Sequence, residues 1–241
     1  MMRGLAFKRL ILAVTILMTA GAANAGQTSA DKMFYAVRAK LGLVNDYVAD
    51  VRMKVDVSFM KVPLMGGKLY FKAPDKLKLE RNGGVSIMPK KSISLTLGAL
   101  MPAGAPTVID AGTDVINGQK VHVIQVIPQG ETEIVLTKIW VDENRMLAMR
   151  TETTTRENGT IRVELEYGKY VQLALPDKVV FVLDIKDYKL PKGVTMDYDD
   201  GTQEMMAKAK KMRMKKGRIE IKYLSYKTNT GLKDSFFTDQ K

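Results

Sequence analysis

The feature that most constrains the fold is a run of alternation between Asn45 and Phe59. Tyr47, Ala49, Val51, Met53, Val55, Val57 and Phe59 are apolar and lie two apart, with Asp50, Arg52, Lys54, Asp56 and Ser58 between them. Strand side chains point alternately to opposite faces, so the run predicts one long strand with an apolar face and a wetted face. At roughly 3.3 Å per residue it spans on the order of 40 Å, long against the usual strand. A strand of that length belongs to a sheet that twists and curls. Gly66-Gly67 reads as the turn that sends the chain back. Lys68–Ala73 and Lys76–Arg81 then repeat the pattern, with Leu69, Phe71, Leu77 and Leu79 on the apolar face and Pro74-Asp75 as the turn between them. Three antiparallel strands sharing one apolar face need a cover for it.

The start of the chain predicts export. Arg3, Lys8 and Arg9 precede an apolar stretch over Leu10–Ala20, and Ala23-Asn24-Ala25 has the small-x-small form of a cleavage site. Residues 1–25 therefore read as a secretory signal peptide, too short and wrongly flanked for a membrane span. Residues 26–241 read as a single domain, and the predicted compartment is the periplasm. The apolar stretch is not followed by a Cys, which excludes an acylated N-terminal Cys. The chain has no Cys at all, so neither a disulfide framework nor thiolate chemistry is available. With 38 Lys and Arg against 26 Asp and Glu, the formal net charge is +12. For an exported protein that balance points to anionic lipid head groups or cell-wall polymers, not to nucleic acid. It equally suits a basic surface that only keeps a sheet-rich protein soluble.

Thr28–Leu43 has helical spacing. Ser29 or Asp31 can cap it, and Met33, Phe34, Val37 and Leu41 share a side, which predicts a helix packed on the apolar face of the sheet. Gly84–Pro89 reads as a short strand. Lys91–Val108 is apolar but neither alternating nor helical, and reads either as a lid over the cavity or as a buried crossover. Gly112–Gly118 reads as a turn ending in the hairpin signal Asn117-Gly118. Strands are predicted over Val121–Ile127, Glu133–Asp142 (with Trp140, the only Trp), Arg145–Thr155, Thr160–Tyr167, Val179–Ile185 and Arg218–Lys227. Roughly ten strands at this spacing predict an antiparallel barrel or half-barrel.

Catalytic signatures are missing. His122 is the only His and lies within a strand. With one His and no Cys, the common zinc sites lack ligands. There is no G-x-S-x-G elbow, P-loop or dinucleotide fingerprint, and Asp199-Asp200 sits in a Gly-ended turn. The expectation is a protein that is not an enzyme and uses neither cofactor nor metal. Met205, Met206, Met212 and Met214 form a cluster of soft ligands suited to Cu(I), but Lys208, Lys210, Lys211 and Arg213 interleave them and repel a cation. Packing by flexible thioethers is the simpler reading.

Several phrases carry a resemblance. YFKAPDKLKLE (Tyr70–Glu80) ends the first meander; INGQKVHVI (Ile116–Ile124), IWVDENRMLAMRTE (Ile139–Glu152) and EYGKY (Glu166–Tyr170) follow. With the signal peptide, the single helix and the long strand, the chain resembles LolA/LolB-like proteins of outer-membrane lipoprotein sorting. The resemblance implies a mainly β fold: an unclosed antiparallel barrel with a helical lid over an apolar cavity. It also implies a periplasmic carrier for acyl chains of a lipid or lipoprotein. The alternative on the same fold is an envelope-stress sensor or structural binding module without transport. The residues expected to line the cavity are Val51, Met53, Val55, Val57, Phe59, Leu69, Phe71, Leu77, Leu79 and Trp140. Arg52, Lys54, Asp56, Lys68 and Lys78 are expected to face water.

Gln203–Lys216 adds a basic Met-rich segment. On a helix, Met205, Ala209 and Met212 share a face ringed by Lys208, Lys210, Lys211, Lys215 and Lys216, a pattern suited to an anionic membrane surface or an acidic partner. Each Lys near such a surface contributes on the order of 1 kcal/mol, screened by salt. Replacing these five Lys by Gln is expected to abolish any preference for anionic over neutral vesicles in sedimentation at low salt, with folding intact.

Overall fold

The computed structural model describes residues 28–57, 60–61, 64–81, 86–87, 101–102, 104–156, 159–183 and 217–238. The expected signal peptide, Phe59, residues 91–100 of the expected lid, and the segment 203–216 with Lys208, Lys210, Lys211, Lys215 and Lys216 lie outside them, as does the side chain of Val57.

The helix α1 (Ser29–Leu41) opens the described chain. Its cap is Thr28, one residue before the expected Ser29. The Asp31 backbone N–H donates to Thr28 Oγ1 at 3.1 Å, and the Thr28 N–H donates to Asp31 Oδ2 at 2.9 Å. This reciprocal box satisfies two of the amides that a helix start leaves unpaired. Twelve strands follow: β1 (Asp46–Val57), β2 (Met60–Lys61), β3 (Met65–Lys72), β4 (Lys76–Arg81), β5 (Ser86–Ile87), β6 (Thr107–Ile116), β7 (Gln119–Ile127), β8 (Ile134–Asp142), β9 (Leu147–Thr155), β10 (Gly159–Glu166), β11 (Lys178–Leu183) and β12 (Gly217–Thr228). They form one antiparallel sheet in the order β5-β4-β3-β1-β12-β11-β10-β9-β8-β7-β6, with β2 paired to β1. Among the described residues its two ends, β5 and β6, do not pair, so the sheet is an open half-barrel.

Two meanders, β1–β5 and β6–β11, are joined by β12, which pairs with β1 on one side and β11 on the other. The long alternating run is β1, central as its two-faced pattern requires. Val55 lies opposite Ile219 and Met53 opposite Ile221. Ile219 in turn lies opposite Phe181, and Phe181 opposite Val163. Directly opposed residues share a face, so one inner face runs unbroken across the sheet.

Three expectations are corrected. Gly66-Gly67 is not a turn: both glycines lie within β3, opposite Arg52 and Val51. The reversal comes earlier, because Val57 already pairs with Met60. Residues 107–116 are not lid and turn but the edge strand β6. Its side chains are mostly exposed and its register shifts between Asp110 and Thr113, so the hydrophobic alternation that marks a half-buried strand is absent. Finally, α1 does not cover the long strand. It packs over β6–β9, where Phe34 and Val37 meet Ile124, Val126, Ile139 and Val141.

The C-terminal end straps the outer face. Asp46 is buried and accepts from Thr230 N–H at 2.6 Å, Thr230 Oγ1 at 2.7 Å and Gly231 N–H at 3.1 Å. Burial pushes its carboxyl pKa up, but these hydrogen bonds together outweigh that and hold it below the ordinary value. Asp234 bridges Lys72 at 2.6 Å and Lys76 at 2.7 Å, bonds that lower its pKa to about 2. Lys78 Nζ sits 4.1 Å from the Phe236 ring centroid. Lys78 is thus on the outer face as expected, but beneath the strap and not in open water.

Gly67 marks a close approach of backbones. A Cβ there would overlap the carbonyl oxygen of Glu80 in β4, and neither strand can yield without breaking its ladder. Gly67→Ala is expected to destabilise the fold by about 2 kcal/mol, read as a fall in the denaturant midpoint at unchanged slope.

Candidate functional site: the inner apolar face

The inner face divides into three sectors. Over β6–β9 it is closed by α1, with Phe34, Ile124, Val126, Ile139 and Val141 almost wholly buried. A band of threonines follows. Thr137, Thr151 and Thr153 are buried, Thr137 and Thr153 place their hydroxyls 3.3 Å apart, and Thr151 Oγ1 has no hydrogen-bond partner among the described residues. The third sector spans β10–β12, β1, β3 and β4 and is not covered by α1. Ala49, Val51, Met53, Val55, Met65, Leu69, Ile161, Val163, Leu165, Val179, Phe181, Ile219 and Ile221 form its floor.

This third sector is chemically graded along the strands. The row through Val55, Ile219, Phe181 and Val163 is aliphatic and phenyl. The opposite end carries half-buried Tyr47, Phe71, Tyr167, Tyr223 and Tyr226. Tyr47 stacks on Phe71 at 4.9 Å between centroids and meets Tyr226 edge-on at 5.1 Å, while Tyr223 and Tyr226 stack at 5.0 Å. Tyr170 closes the group against Tyr226 at 5.0 Å. The Tyr226 hydroxyl donates to the Pro176 carbonyl at 2.7 Å, and that of Tyr167 to the Ala148 carbonyl at 3.0 Å. Burial in these apolar surroundings disfavours phenolate. It pushes Tyr223 up to about 12, and raises Tyr47, Tyr167 and Tyr226 as well.

Among the expected cavity residues, Val51, Met53, Val55 and Leu69 are buried in this sector, and Phe71, Leu77 and Leu79 are packed half-buried at its edge. Arg52, Lys54, Asp56 and Lys68 are exposed on the outer face. Trp140 is the exception. It lies on the outer face with Val121 and Val123, donates from Nε1 to Asp114 Oδ2 at 2.8 Å, and is overlaid by Arg150. Ile139-Trp140-Val141 is apolar in both phases, so alternation does not choose its inner side; α1 does, by covering Ile139 and Val141. The tyrosine cluster escaped sequence reasoning for a related reason. Asp50 pairs with Ser225 but Val51 with Tyr223, so β12 bulges at Leu224. The bulge returns Tyr226 to the same face as Tyr223 against the simple period of two.

His122 is fully engaged. Its Nε2 lies 2.9 Å from Asp110 Oδ1 and its Nδ1 2.8 Å from Glu143 Oε1. Among the described residues no group of three or more His, Cys, Asp or Glu is placed to hold a metal ion, and no helix is long and apolar enough to cross a membrane.

Solved structures share this architecture. An outer membrane lipoprotein-sorting protein domain from Vibrio parahaemolyticus superposes with a TM-score of 0.51 at 10% identity, over 87% of this chain and 97% of that one. A LolA superfamily protein from Nitrosomonas europaea gives 0.54 at 10% identity, over 88% and 98%. The fold is LolA-like. A DUF1329 family protein from Desulfovibrio piger also superposes, at 0.51 and 9% identity, over 87% and 97%. No family model matches the chain, and neither does any curated protein. At a tenth identity the likeness is one of fold.

The raised phenol pKa values give a signed prediction. Above the ordinary tyrosine value of 10.0 the unfolded chain releases phenol protons that the folded chain retains up to about 12 at Tyr223. Stability is therefore fully present below pH 10 and is lost as pH rises through about 12. Tyr47→Phe with Tyr223→Phe is expected to flatten that decline in a series of denaturant melts from neutral to alkaline pH.

Proposed function

We propose that the protein binds the acyl chain of a lipid or lipoprotein on the sector of its inner face that α1 does not cover and carries it through the periplasm. The observation that supports this most directly is the third sector itself. Large apolar side chains, Phe71, Leu77, Leu79 and the tyrosines among them, remain half-buried there, while α1 covers only the other end of the same face. A sheet needs its apolar face covered, and an acyl chain supplies such a cover reversibly. Each methylene moved out of water gains about 0.8 kcal/mol. The proposed role is physical and involves no covalent step, cofactor or metal. The graded sector orients the ligand. Methylene groups lie toward Val55, Phe181 and Ile219, and the ester or amide end lies near the Tyr47 and Tyr223 hydroxyls, since those of Tyr167 and Tyr226 already donate to backbone carbonyls. The signal-like N-terminus supports a periplasmic location for residues 26–241 as one domain. The LolA-like fold supports a sorting or transport role for the binding.

The test is native mass spectrometry of the protein purified gently from the periplasm of an expressing Gram-negative host. Copurified acyl lipid or lipopeptide is the expected result. Val55→Glu is expected to abolish it, because an unpaired carboxylate in this wall costs several kcal/mol. Leu79→Ser, at the half-buried edge, keeps the fold and weakens retention. Ligand-free wild-type protein, or full retention by both folded variants, would refute the reading.

A further inference from the structure

The outer face carries an open groove of about 160 Å³ between β1 and β12, lined by Arg52, Lys54, Leu64, Glu220 and Lys222. It lies on the opposite side of the sheet from the acyl-chain sector. Its size is well below the roughly 300 Å³ at which drug-sized ligand pockets begin, so it suits a small group and not a hydrocarbon chain.

Its charge pattern departs from that of the surrounding face. Elsewhere on the outer face several cations are paired: Lys68 with Asp50, Arg150 with Glu164, Arg162 with Glu152, and Lys178 with Glu166. At the groove, Arg52 lies directly opposite Lys222, and Lys222 directly opposite Lys178, three like charges in one row across adjacent strands. Such placement is destabilising. The one carboxylate, Glu220, is already shared between Arg218 at 3.8 Å and Lys222 at 3.6 Å. Arg52 and Lys54 make no ion pair among the described residues. On the other side of Arg52 the row ends at Gly66, which has no side chain. The neighbouring strand thus leaves the space beside the guanidinium open.

We propose that this groove binds a phosphate group. Arg52 offers a planar fork of donors matched to two oxygens of a tetrahedral anion, and Lys54 and Lys222 supply ammonium donors from the flanking positions. The bound anion relieves the repulsion between Arg52 and Lys222, so the arrangement that is unfavourable in the empty groove becomes favourable in the occupied one. The phosphate belongs either to the head group of an anionic lipid or to a free phosphate compound. This site is independent of the inner-face reading and stands or falls separately from it.

The experiment uses the full chain in two arms: calorimetric titration with inorganic phosphate in chloride buffer, and flotation with phosphatidylglycerol vesicles. The wild type is expected to bind in at least one arm. Arg52→Gln with Lys222→Gln is expected to weaken that binding on the order of tenfold or more. Lys120→Gln with Lys169→Gln removes the same charge from exposed positions elsewhere and is expected to leave it unchanged. Because the groove variant removes a repulsion, its melting temperature is expected to equal or exceed that of the wild type, which shows that it folds. Titration by phosphate alone identifies a free compound as the source; vesicle binding displaced by phosphate identifies the lipid. Three results would overturn the proposal: no binding in either arm, equal weakening in the two variants, or tighter groove-dependent binding of an acidic peptide than of phosphate.

Discussion

Everything in this structure depends on the pairing of β1 with β12. The two strands come from opposite ends of the described chain, and their inner-face contacts, Val55 with Ile219 and Met53 with Ile221, join two meanders that are otherwise local. Each meander closes by short connections. Neither acquires a second wall until β12 is inserted between β1 and β11. The buried carboxylate of Asp46, at the first residue of β1, ties the backbone just beyond β12 at Thr230 and Gly231. The junction is thus held by apolar contact along its length and by charge-assisted hydrogen bonds at its end. Contacts so distant in sequence carry a larger loop-closure cost than the hairpin contacts within each meander.

The second determinant is where α1 sits. One helix cannot cover the inner face of a sheet this wide. By packing against Ile124, Val126, Ile139 and Val141 it leaves β1, β3, β4 and β10–β12 without it. The threonine band at Thr137, Thr151 and Thr153 falls between the sector that α1 covers and the sector that it does not. The sector beyond α1 then differs from end to end, because one bulge in β12 gathers Tyr223 and Tyr226 beside Tyr47 and Phe71. The helix cover at one end and the aromatic cluster at the other make the inner face chemically different along its length.

The outer face shows how a basic protein distributes its charge. Most cations sit across from carboxylates and add little individually. The concentration of cations at Arg52, Lys54 and Lys222 around the single carboxylate Glu220 is local, so it is not a consequence of the overall net charge. The edge strand β6 solves a different problem. Its register shift beside Gly112 and its acidic residues, Asp110 and Asp114, disrupt a ladder that would otherwise invite another strand.

The sequence by itself determined the two faces of β1, β3 and β4. Strict alternation leaves one assignment that buries the apolar set, and Val51, Met53, Val55 and Leu69 are buried while Arg52, Lys54 and Lys68 are exposed. It determined α1 and its buried side, through capping and helical spacing, and the Asn117-Gly118 hairpin, where both residues adopt the positive φ that a tight turn requires. Only the tertiary structure decided the rest. The side of Trp140 depended on which face α1 covers, since both phases of β8 are apolar. Gly66 and Gly67 read as a turn, but pairing with β1 holds them in a strand. Tyr226 joined the tyrosine cluster only because β12 bulges against β1, and the row of cations at the groove exists only because β1, β12 and β11 lie side by side. In each case the deciding interaction is between residues distant in the chain, and local periodicity carries no record of it.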